Sequence, residues 1–576
     1  YQVKRVINGS ASVGTDTEVG TVPLGIAADP LDMTKSAIFF SSFSASNDTV
    51  RTVTDIMCII DDPETVQFSR RATSTNSIYV GYSVVEFAQG VTVISGMTTV
   101  AETSLNKTIT LPVSVDLNKA FPLVSWKPYG ATNARDERVL FRAEITDTNK
   151  LYLERSESGY NSDVAYQIIA FDTDDADVNV QHGTIDIDNS GAADPGETLD
   201  NGTSCTVTVS AVDTNKAMLF FTIMPAGGVN GYEDRYSVDG ILTNSTTLTF
   251  RRNTNTSGVT VTWYLVELDN MFTNSVQTNR VTGWTSTPRT VNLGTPLFDT
   301  MTMPIFSVSG PTVATIDGLY DIAWRGQFAA AAGTPPVVST INFSRYASAT
   351  RSTNVTWQAV EFPLLHLTSP NGGEAFSRVG ETIPITWNHA KCLETGDGGN
   401  PVTVKLLLDK NEGNDGYPLT IITGISSAAD TYNWHVNPTL KNASEEDISV
   451  IGDKLRVRIQ CESIYTTRNY DDSNGNFEIK GKIDLVSPVG GETWLLTDTN
   501  RNISWKPWGN LSGTSGTDTV IISLSTDNGA SWDVLATPVA GDGDGDVTYN
   551  WPWNPIPSHI PSTTHNLIGN DNLVKI

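Results

Sequence analysis

Internal repetition is the feature of this 576-residue sequence that most constrains its fold. Four successive N-terminal units each end in an apolar strand with an aromatic residue at its centre, and the strand before it ends in arginine. The aromatic residues are Tyr82, Tyr166, Trp263 and Trp357, and the arginines are Arg70, Arg155, Arg252 and Arg345. Both landmarks shift together from unit to unit. A common fold with insertions in its loops produces such a shared shift.

Two C-terminal units repeat a different pattern. Segment 369–376 reads SPNGGEAF, segment 487–494 reads SPVGGETW, and each precedes an I-x-W strand. The sequence therefore predicts six domains. Their boundaries are 1–90, 91–176, 177–273 and 274–364 for the first type, and 365–482 and 483–576 for the second.

The sixth unit is expected to be incomplete. The chain reaches Ile576 before the equivalent of the strand NFEIK at 476–480, which closes the fifth unit. A sandwich without its last strand exposes an unpaired edge, which soluble proteins avoid. We therefore expect a longer natural chain, and the alternative is a strand supplied by a neighbouring subunit.

Each unit has the sequence pattern of β-strands. Short runs rich in Val, Thr, Ile, Tyr and Phe, such as SIYVGYSVVEF at 77–87, are separated by Gly, Asn, Asp and Pro, and this spacing is typical of β-sandwiches. We predict an all-β chain of tandem Ig-like β-sandwich domains in a rod, four of one type and then two of another. The rod is expected because linkers of only a few residues hold neighbouring sandwiches stiffly.

The C-terminal pair resembles a known family. The pattern SPNGGE or SPVGGE followed by I-x-W is similar to that of the Ig-like domain family named after yeast cell-wall β-glucan assembly proteins. That pattern is also widespread in large prokaryotic surface proteins. The resemblance runs from His366 to the end of the sequence and departs from the family at Phe376, where tryptophan is preferred. It implies an extracellular β-sandwich spacer and does not imply catalysis.

Charge limits the partners that the chain is expected to bind. The sequence has 64 acidic and 37 basic residues and a net charge of −27, with only 18% charged residues overall. An excess of negative charge of this size opposes binding to nucleic acid or to an anionic membrane surface. No apolar run approaches the roughly 20 residues that a membrane-spanning helix requires, so no membrane insertion is expected.

These patterns favour an extracellular or cell-surface structural protein. We expect a subunit of a surface filament, sheath, S-layer or adhesive stalk, whose partners are other copies of itself. The alternative is a glycan-binding adhesin, or the non-catalytic accessory region of a secreted glycoside-active enzyme, with carbohydrate as the partner. The sequence has no G-x-S-x-G, H-E-x-x-H, C-x-x-C or P-loop motif, so no catalytic residue is assigned and no enzyme is expected.

One local motif predicts a calcium site. Asp186, Asp188, Ser190 and Glu197 match a D-x-D-x-S-G-x5-E loop, and Asp194 stands at its ninth position. Oxygens with this spacing can surround a Ca²⁺ ion. The alternative is an acidic hairpin loop without a metal, since no helices flank the motif.

The four cysteines divide into two kinds. Cys392 and Cys461 fall in the same unit and are predicted to form a disulfide, with two buried thiols as the alternative. Cys58 and Cys205 fall in different units and are expected to be lone core residues.

Aromatic residues offer a weaker prediction. Trp508 and Trp553 could stack on sugar rings, but they stand at or near repeat-matched positions, which favours core or inter-domain packing.

The charged residues that recur from repeat to repeat are predicted to have structural roles. The four repeat arginines are expected to end strands. Lys35 with Glu86, and Lys216 with Glu267, are expected to be solvated charges at a rim.

Overall fold

The computed structural model divides into two compact units, Tyr1–Leu364 and Leu365–Ile576. The division falls between the fourth and fifth sequence repeats. The model describes all residues except 46–50, 130–137, 174, 176, 189–196, 201, 227–235, 254–257, 270, 272–274, 299–300, 311–321, 331–336, 350, 364, 375–376, 390–402, 427–428, 463–469, 497, 511–518, 545–546, 554–566 and 570. The prediction of an all-β chain built from tandem sandwiches is confirmed.

The first unit contains strands β1 to β25 in four repeats. The first repeat has β1 (Gln2–Val13), β2 (Val19–Pro23), β3 (Ser36–Ser44), helix α1 (Arg51–Thr54), β4 (Met57–Asp62), β5 (Thr65–Ser69) and β6 (Ile78–Gln89). The second has β7 (Val91–Val100), β8 (Asn106–Thr110), a 3-10 turn (Leu117–Lys119), β9 (Ala120–Pro128), β10 (Arg142–Asp147), β11 (Lys150–Glu154) and β12 (Ser162–Phe171). The third has β13 (Val178–Ile187), β14 (Glu197–Asp200), β15 (Ser204–Thr208), β16 (Ala217–Pro225), β17 (Asp239–Asn244), β18 (Thr247–Arg251) and β19 (Val259–Leu268). The fourth has β20 (Val276–Trp284), β21 (Arg289–Phe298), β22 (Thr302–Ser309), β23 (Arg325–Phe328), β24 (Val337–Ser344) and β25 (Thr353–Glu361).

Each of these repeats is a sandwich of two antiparallel sheets. In the first repeat the sheet orders are β1-β6-β3 and β2-β5-β4. The other repeats follow the same plan, and the third adds β14 at the edge of its second sheet. We call β6, β12, β19 and β25 the central strands, β3, β9, β16 and β22 the inner strands, and β4, β10, β17 and β23 the seam strands.

The central strands are buried along nearly their whole length. All ten residues of β19 (VTVTWYLVEL) are buried, and β25 is buried except at Asn354. A strand with one solvated face would alternate apolar and polar residues. Continuous burial means that each central strand is covered on both faces, by its own sandwich on one side and by another repeat on the other.

The covering element is the seam strand of the preceding repeat. Seam strand β4 packs on the first sheet of repeat two, β10 on that of repeat three, β17 on that of repeat four, and β23 on that of repeat one. The first unit is therefore a closed ring of four sandwiches, because the last repeat returns to the first. Short linkers hold neighbouring repeats closely but do not set the direction between them, so this unit does not extend into the expected rod.

Equivalent hydrogen bonds form at the four interfaces between repeats, which we call the seams. In each interface, a backbone N–H of the seam strand donates to a Ser or Thr hydroxyl on the inner strand of the next repeat. That Ser or Thr directly follows the inner-strand residue that pairs with the aromatic residue of the central strand. The pairs are Cys58 to Ser125 at 3.0 Å, Ala143 to Thr222 at 2.9 Å, Gly240 to Ser307 at 3.1 Å, and Gly326 to Ser41 at 3.2 Å.

The second unit holds the two repeats of the other type. Its fifth repeat has β26 (Leu365–Ser369), β27 (Ser377–Arg378), β28 (Thr382–His389), β29 (Thr403–Asp409), β30 (Leu419–Ser426), β31 (Thr431–His435), β32 (Thr439–Lys441), β33 (Asp447–Ser449), β34 (Gly452–Cys461), β35 (Tyr470–Asp472) and β36 (Phe477–Lys480). Its sixth has β37 (Lys482–Ser487), β38 (Asn502–Asn510), β39 (Ile522–Ser525), β40 (Asp533–Ala536), β41 (Asp542–Asp544), β42 (Tyr549–Pro552) and β43 (Leu573–Lys575). The tryptophans of the two I-x-W strands, Trp387 and Trp505, are each 1% exposed at the centre of a core.

The SPNGGE and SPVGGE segments form the same turn. Glu374 accepts hydrogen bonds from the backbone N–H groups of Asn371 and Gly372, and Glu492 accepts from those of Val489 and Gly490. Both glycines of each motif have positive φ, between 79° and 112°. L-residues rarely adopt this conformation, so the turn requires the glycine pair.

Candidate functional site

At the centre of the ring of the first unit lies a cavity of about 320 Å³ that is partly open to solvent. All four inner strands line it, together with parts of the central and seam strands. At equivalent positions on the inner strands stand Phe39, Leu123, Phe220 and Ile305. The two aromatic residues come from repeats one and three, and the two aliphatic residues come from repeats two and four.

Aromatic packing fixes part of this wall. The rings of Phe121 and Phe220 are stacked with centroids 4.6 Å apart, and the rings of Phe39 and Phe220 lie 5.9 Å apart. These contacts join three of the four repeats. Since the side chains extend from paired strands, the wall is preformed.

Polar groups at the wall serve mainly to join repeats. The side-chain oxygen of Gln358 accepts from the N–H of Leu219, and the hydroxyl oxygen of Tyr264 accepts from the N–H of Ile145. Burial raises the pKa of Tyr264, so its hydroxyl stays protonated. The wall exposes more apolar than polar surface.

The repeat arginines have a structural role that the sequence interpretation missed. Arg70 is 1% exposed, and its guanidinium donates to the carbonyl oxygens of Gly14, Thr17 and Asn76 at 2.8 to 2.9 Å. The same residue is 1% or 2% exposed in every other repeat of the ring, at Arg155, Arg252 and Arg345. These arginines tie loops together through backbone carbonyls rather than simply ending strands. Their recurrence in all four repeats was the available signal.

The lysines and acids also differ from expectation. Lys35 donates to the backbone carbonyl of Ala88, near the end of central strand β6, and Lys216 donates to that of Asp269, which follows β19. Lys119, at the equivalent position of the second repeat, donates to the carbonyl of Asp175 after β12. Glu86 and Glu267 are only 2% and 8% exposed, so they are not solvated rim charges. Glu86 accepts from the N–H of Asp32, and Glu267 accepts from the N–H of Asp213. The acids therefore fix the loops that lead into the inner strands.

The predicted calcium residues lie partly outside the described part of the chain. Asp186 is exposed at the end of β13, where it accepts a hydrogen bond from the Thr260 hydroxyl, and Asp188 is half-buried just after it. Ser190 and Asp194 are not among the described residues, and Glu197 is described only as the first backbone position of β14. The calcium site stays a prediction.

The cysteines are described in three of four positions. Cys58 and Cys205 are free, buried thiols, and burial raises the pKa of Cys58 well above its ordinary value. Cys461 is fully buried at the end of β34 and is disulfide-bonded. Its predicted partner Cys392 lies outside the described residues, so the pairing itself stays a prediction.

The two tryptophans named as candidates for sugar stacking pack in or against the cores of the second unit. Trp553 is 8% exposed in the core of the sixth repeat. Trp508 packs against the core of the fifth repeat, and its indole N–H donates to Asp484 at 2.8 Å. Trp553 therefore has little free surface for a pyranose, and a sugar-stacking role for the half-buried Trp508 stays a prediction.

Asp527 stabilises the turn between β39 and β40. Its carboxylate accepts from the hydroxyl of Ser525 and from both the N–H and the hydroxyl of Ser531. These hydrogen bonds lower the pKa of Asp527 to about 2. Asp409 in the fifth repeat likewise accepts four backbone N–H groups of its own turn.

Two searches of the described residues gave negative results. Within the ranges given above, no group of three or more His, Cys, Asp or Glu side chains is arranged to hold a metal ion. In the same ranges, no helix has the length and apolar character needed to cross a bilayer.

Comparison with known proteins gives no family. No family model matches the chain, and no curated protein matches it. The chain is weakly similar to the adhesin domain of Epf from Streptococcus pyogenes, with 10% identity, 78% of this chain and 97% of that chain covered, and a TM-score of 0.12. It is also weakly similar to a mutant of Salmonella alpha-2-macroglobulin (8% identity, 93% and 44% covered, TM-score 0.14) and to trypsin-activated alpha-2-macroglobulin from Escherichia coli (9% identity, 94% and 46% covered, TM-score 0.11). The chain thus spans less than half the length of the macroglobulins, and TM-scores of this size carry no inference about its fold or function.

Proposed function

We propose that this chain is an extracellular structural protein, a subunit of a surface assembly. The observation that carries the proposal is the closed ring of four sandwiches. Four equivalent seams join the four sandwiches around a shared centre, so that Tyr1–Leu364 forms one compact unit. Such a body suits a mechanical role, because no repeat can rotate independently of its neighbours.

The net charge of the chain favours a soluble, hydrated surface. A net charge of −27 keeps the surface strongly hydrated and soluble at the concentrations of a surface layer. The partners we propose are other copies of the same chain. The forms we propose are a filament, sheath, S-layer or adhesive stalk, with the second unit as an Ig-like spacer.

The third repeat is also proposed to bind one Ca²⁺ through the loop that begins at Asp186. The supporting observation is the ligand spacing, with Asp186 exposed near the end of β13. Bound Ca²⁺ would stiffen the connection from β13 to β14.

Localisation and assembly test the main proposal together. Antibodies against the purified chain should label the outer surface of intact producing cells, and electron microscopy of native surface material should show a regular array or fibre that the antibodies decorate. Labelling only after cell lysis would contradict the proposal. Monomeric, undecorated surface material that binds a glycan array would favour the alternative of a glycan-binding adhesin.

A further inference from the structure

We propose that the central cavity of the ring binds a small apolar molecule that carries one hydrogen-bond acceptor. This activity goes beyond the structural role and does not depend on it. The ligand is defined by the size of the cavity, its apolar wall and a set of hydroxyl groups at its edge.

The size of the cavity sets the size of the ligand. Protein interiors are close-packed, and voids larger than a water molecule are few. The volume of about 320 Å³ is roughly twice that of an engineered cavity of about 150 Å³ that holds benzene. A molecule with two fused rings is therefore the appropriate size.

The apolar part of the wall holds water weakly, away from the hydroxyl groups at the edge of the cavity. A buried water needs two to four polar partners, whereas Phe39, Leu123, Phe220 and Ile305 supply only hydrocarbon to the cavity. The amide oxygen of Gln358 and the hydroxyl oxygen of Tyr264 already accept hydrogen bonds from other repeats. Replacing weakly held water by an apolar group is favourable.

Three hydroxyl groups supply the polar end of the site. Ser41, Thr222 and Ser307 line the cavity, and each accepts the N–H of a seam strand. A hydroxyl that accepts one hydrogen bond still has a proton to donate, and these three protons meet no acceptor among the described residues. Ser125, the equivalent in repeat two, donates to the carbonyl of Cys58 and does not line the cavity. The free donors therefore coincide with the cavity wall, and a carbonyl oxygen of the ligand would satisfy one of them.

A matched pair of ligands tests both parts of the proposal. The probes are 2-acetylnaphthalene, which has a carbonyl acceptor, and 2-ethylnaphthalene, which has nearly the same shape without it. Binding to the full chain is measured by ligand-observed NMR and by competition between the two. We expect 2-acetylnaphthalene to bind about tenfold more tightly, because one added hydrogen bond contributes about 1.4 kcal/mol.

Variants locate the binding. Ser41→Ala and Ser307→Ala should each reduce the preference for the acetyl compound, whereas Ser125→Ala, which removes an equivalent seam contact, should leave it unchanged. Leu123→Phe and Ile305→Phe should fill the cavity and weaken both ligands at least tenfold, and Leu105→Phe, at an exposed position, is the control. Two separate filling variants are used because either one could disturb packing, and a thermal melt shows which is folded.

Three results would overturn the proposal. They are absence of binding by either naphthalene up to its solubility, equal affinity for the two compounds, and unchanged affinity in a folded cavity-filling variant.

Discussion

Replacing Gly81 by alanine places a methyl group in the seam that closes the ring. A Cβ atom at Gly81 would lie 2.7 Å from the backbone oxygen of Gly326 and 3.0 Å from Cγ of Arg325, both on seam strand β23. Gly81 belongs to β6, which pairs with β1 on one side and β3 on the other. Since neither backbone can move freely, the seam must widen.

The expected cost follows from two opposing effects. Overpacking a fitted contact destabilises by about 1 to 3 kcal/mol. Alanine in place of glycine lowers the conformational entropy of the unfolded chain. This stabilises the folded state by about 0.4 to 1 kcal/mol where alanine can adopt the native backbone conformation. The net effect is a loss of roughly 1 to 2 kcal/mol, which corresponds to about tenfold more frequent opening of this seam.

Hydrogen exchange measured by mass spectrometry can locate the effect. In Gly81→Ala, peptides covering β23 should exchange about tenfold faster, because the N–H of Gly326 loses its bond to Ser41 when the seam opens. Peptides covering β17 contain the equivalent N–H of Gly240 in a different seam and should be unchanged.

Gly294→Ala is the matched control. Gly294 is also a strand glycine, but its added Cβ meets only the side-chain oxygen of Gln277, at 3.4 Å. The control should be neutral or slightly stabilising. If Gly81→Ala has the same melting temperature as the control and β23 exchanges at the wild-type rate, the fourth repeat does not contact the first in solution and the ring is open.

Further changes give independent checks. Arg70→Met should destabilise the first unit by about 3 kcal/mol or more in chemical denaturation, because buried carbonyls lose a charged donor, and Arg70→Lys should not restore the loss since one ammonium cannot span three acceptors. Burial raises the pKa of Glu267, so the stability that this residue contributes is complete below its ordinary pKa and is lost as pH rises through the raised value. The melting temperature of Glu267→Gln relative to wild type should therefore rise as the pH increases above the ordinary glutamate pKa of about 4.3. Thiol titration of unfolded, unreduced protein should count two free thiols, Cys58 and Cys205, and a count of four would exclude the disulfide. EDTA should lower the melting temperature and millimolar calcium should restore it if the loop starting at Asp186 binds Ca²⁺; an unchanged melt would contradict the calcium site.

The repeats could be predicted from sequence because their landmarks occupy fixed places in the fold. Tyr82, Tyr166, Trp263 and Trp357 all lie on central strands, and the arginines all follow the hairpin partner of a seam strand. Alternating β-branched and polar residues between turn formers were sufficient for the fold class. A residue type that recurs at the same position of equivalent strands can be recognised in the sequence even when the loops between the strands differ in length.

Ring closure was harder to predict, although one signal was present. The run VTWYLVEL in β19 does not alternate, which indicates that both faces of the strand are buried and that a second partner is needed. The partner could not be identified, because the seam contacts use backbone N–H groups and small hydroxyls. In a chain rich in serine and threonine, Ser41 and Ser307 are indistinguishable from surface residues until the strands are placed.

The candidate site was missed for the same reason. Phe39 and Phe220 look like ordinary core residues in the sequence, yet they project toward the centre of the ring while their neighbours Phe40 and Phe221 face their own sandwiches. Strand alternation gives two faces but does not tell which face meets another repeat.

The covalent connection between the four sandwiches has a consequence for the stability of the ring on dilution. A ring of four separate subunits would fall apart on dilution, because each interface would depend on protein concentration. Here the fourth sandwich meets the first at a local concentration fixed by short linkers, on the order of millimolar. The ring should therefore persist at any dilution. Each seam is also encoded by its own residues, so a mutation changes one seam alone. In a symmetric oligomer of identical subunits, the same mutation would change every interface. The seam between repeats three and four shows such divergence, since buried Asp239 there forms a two-point ion pair with Arg280.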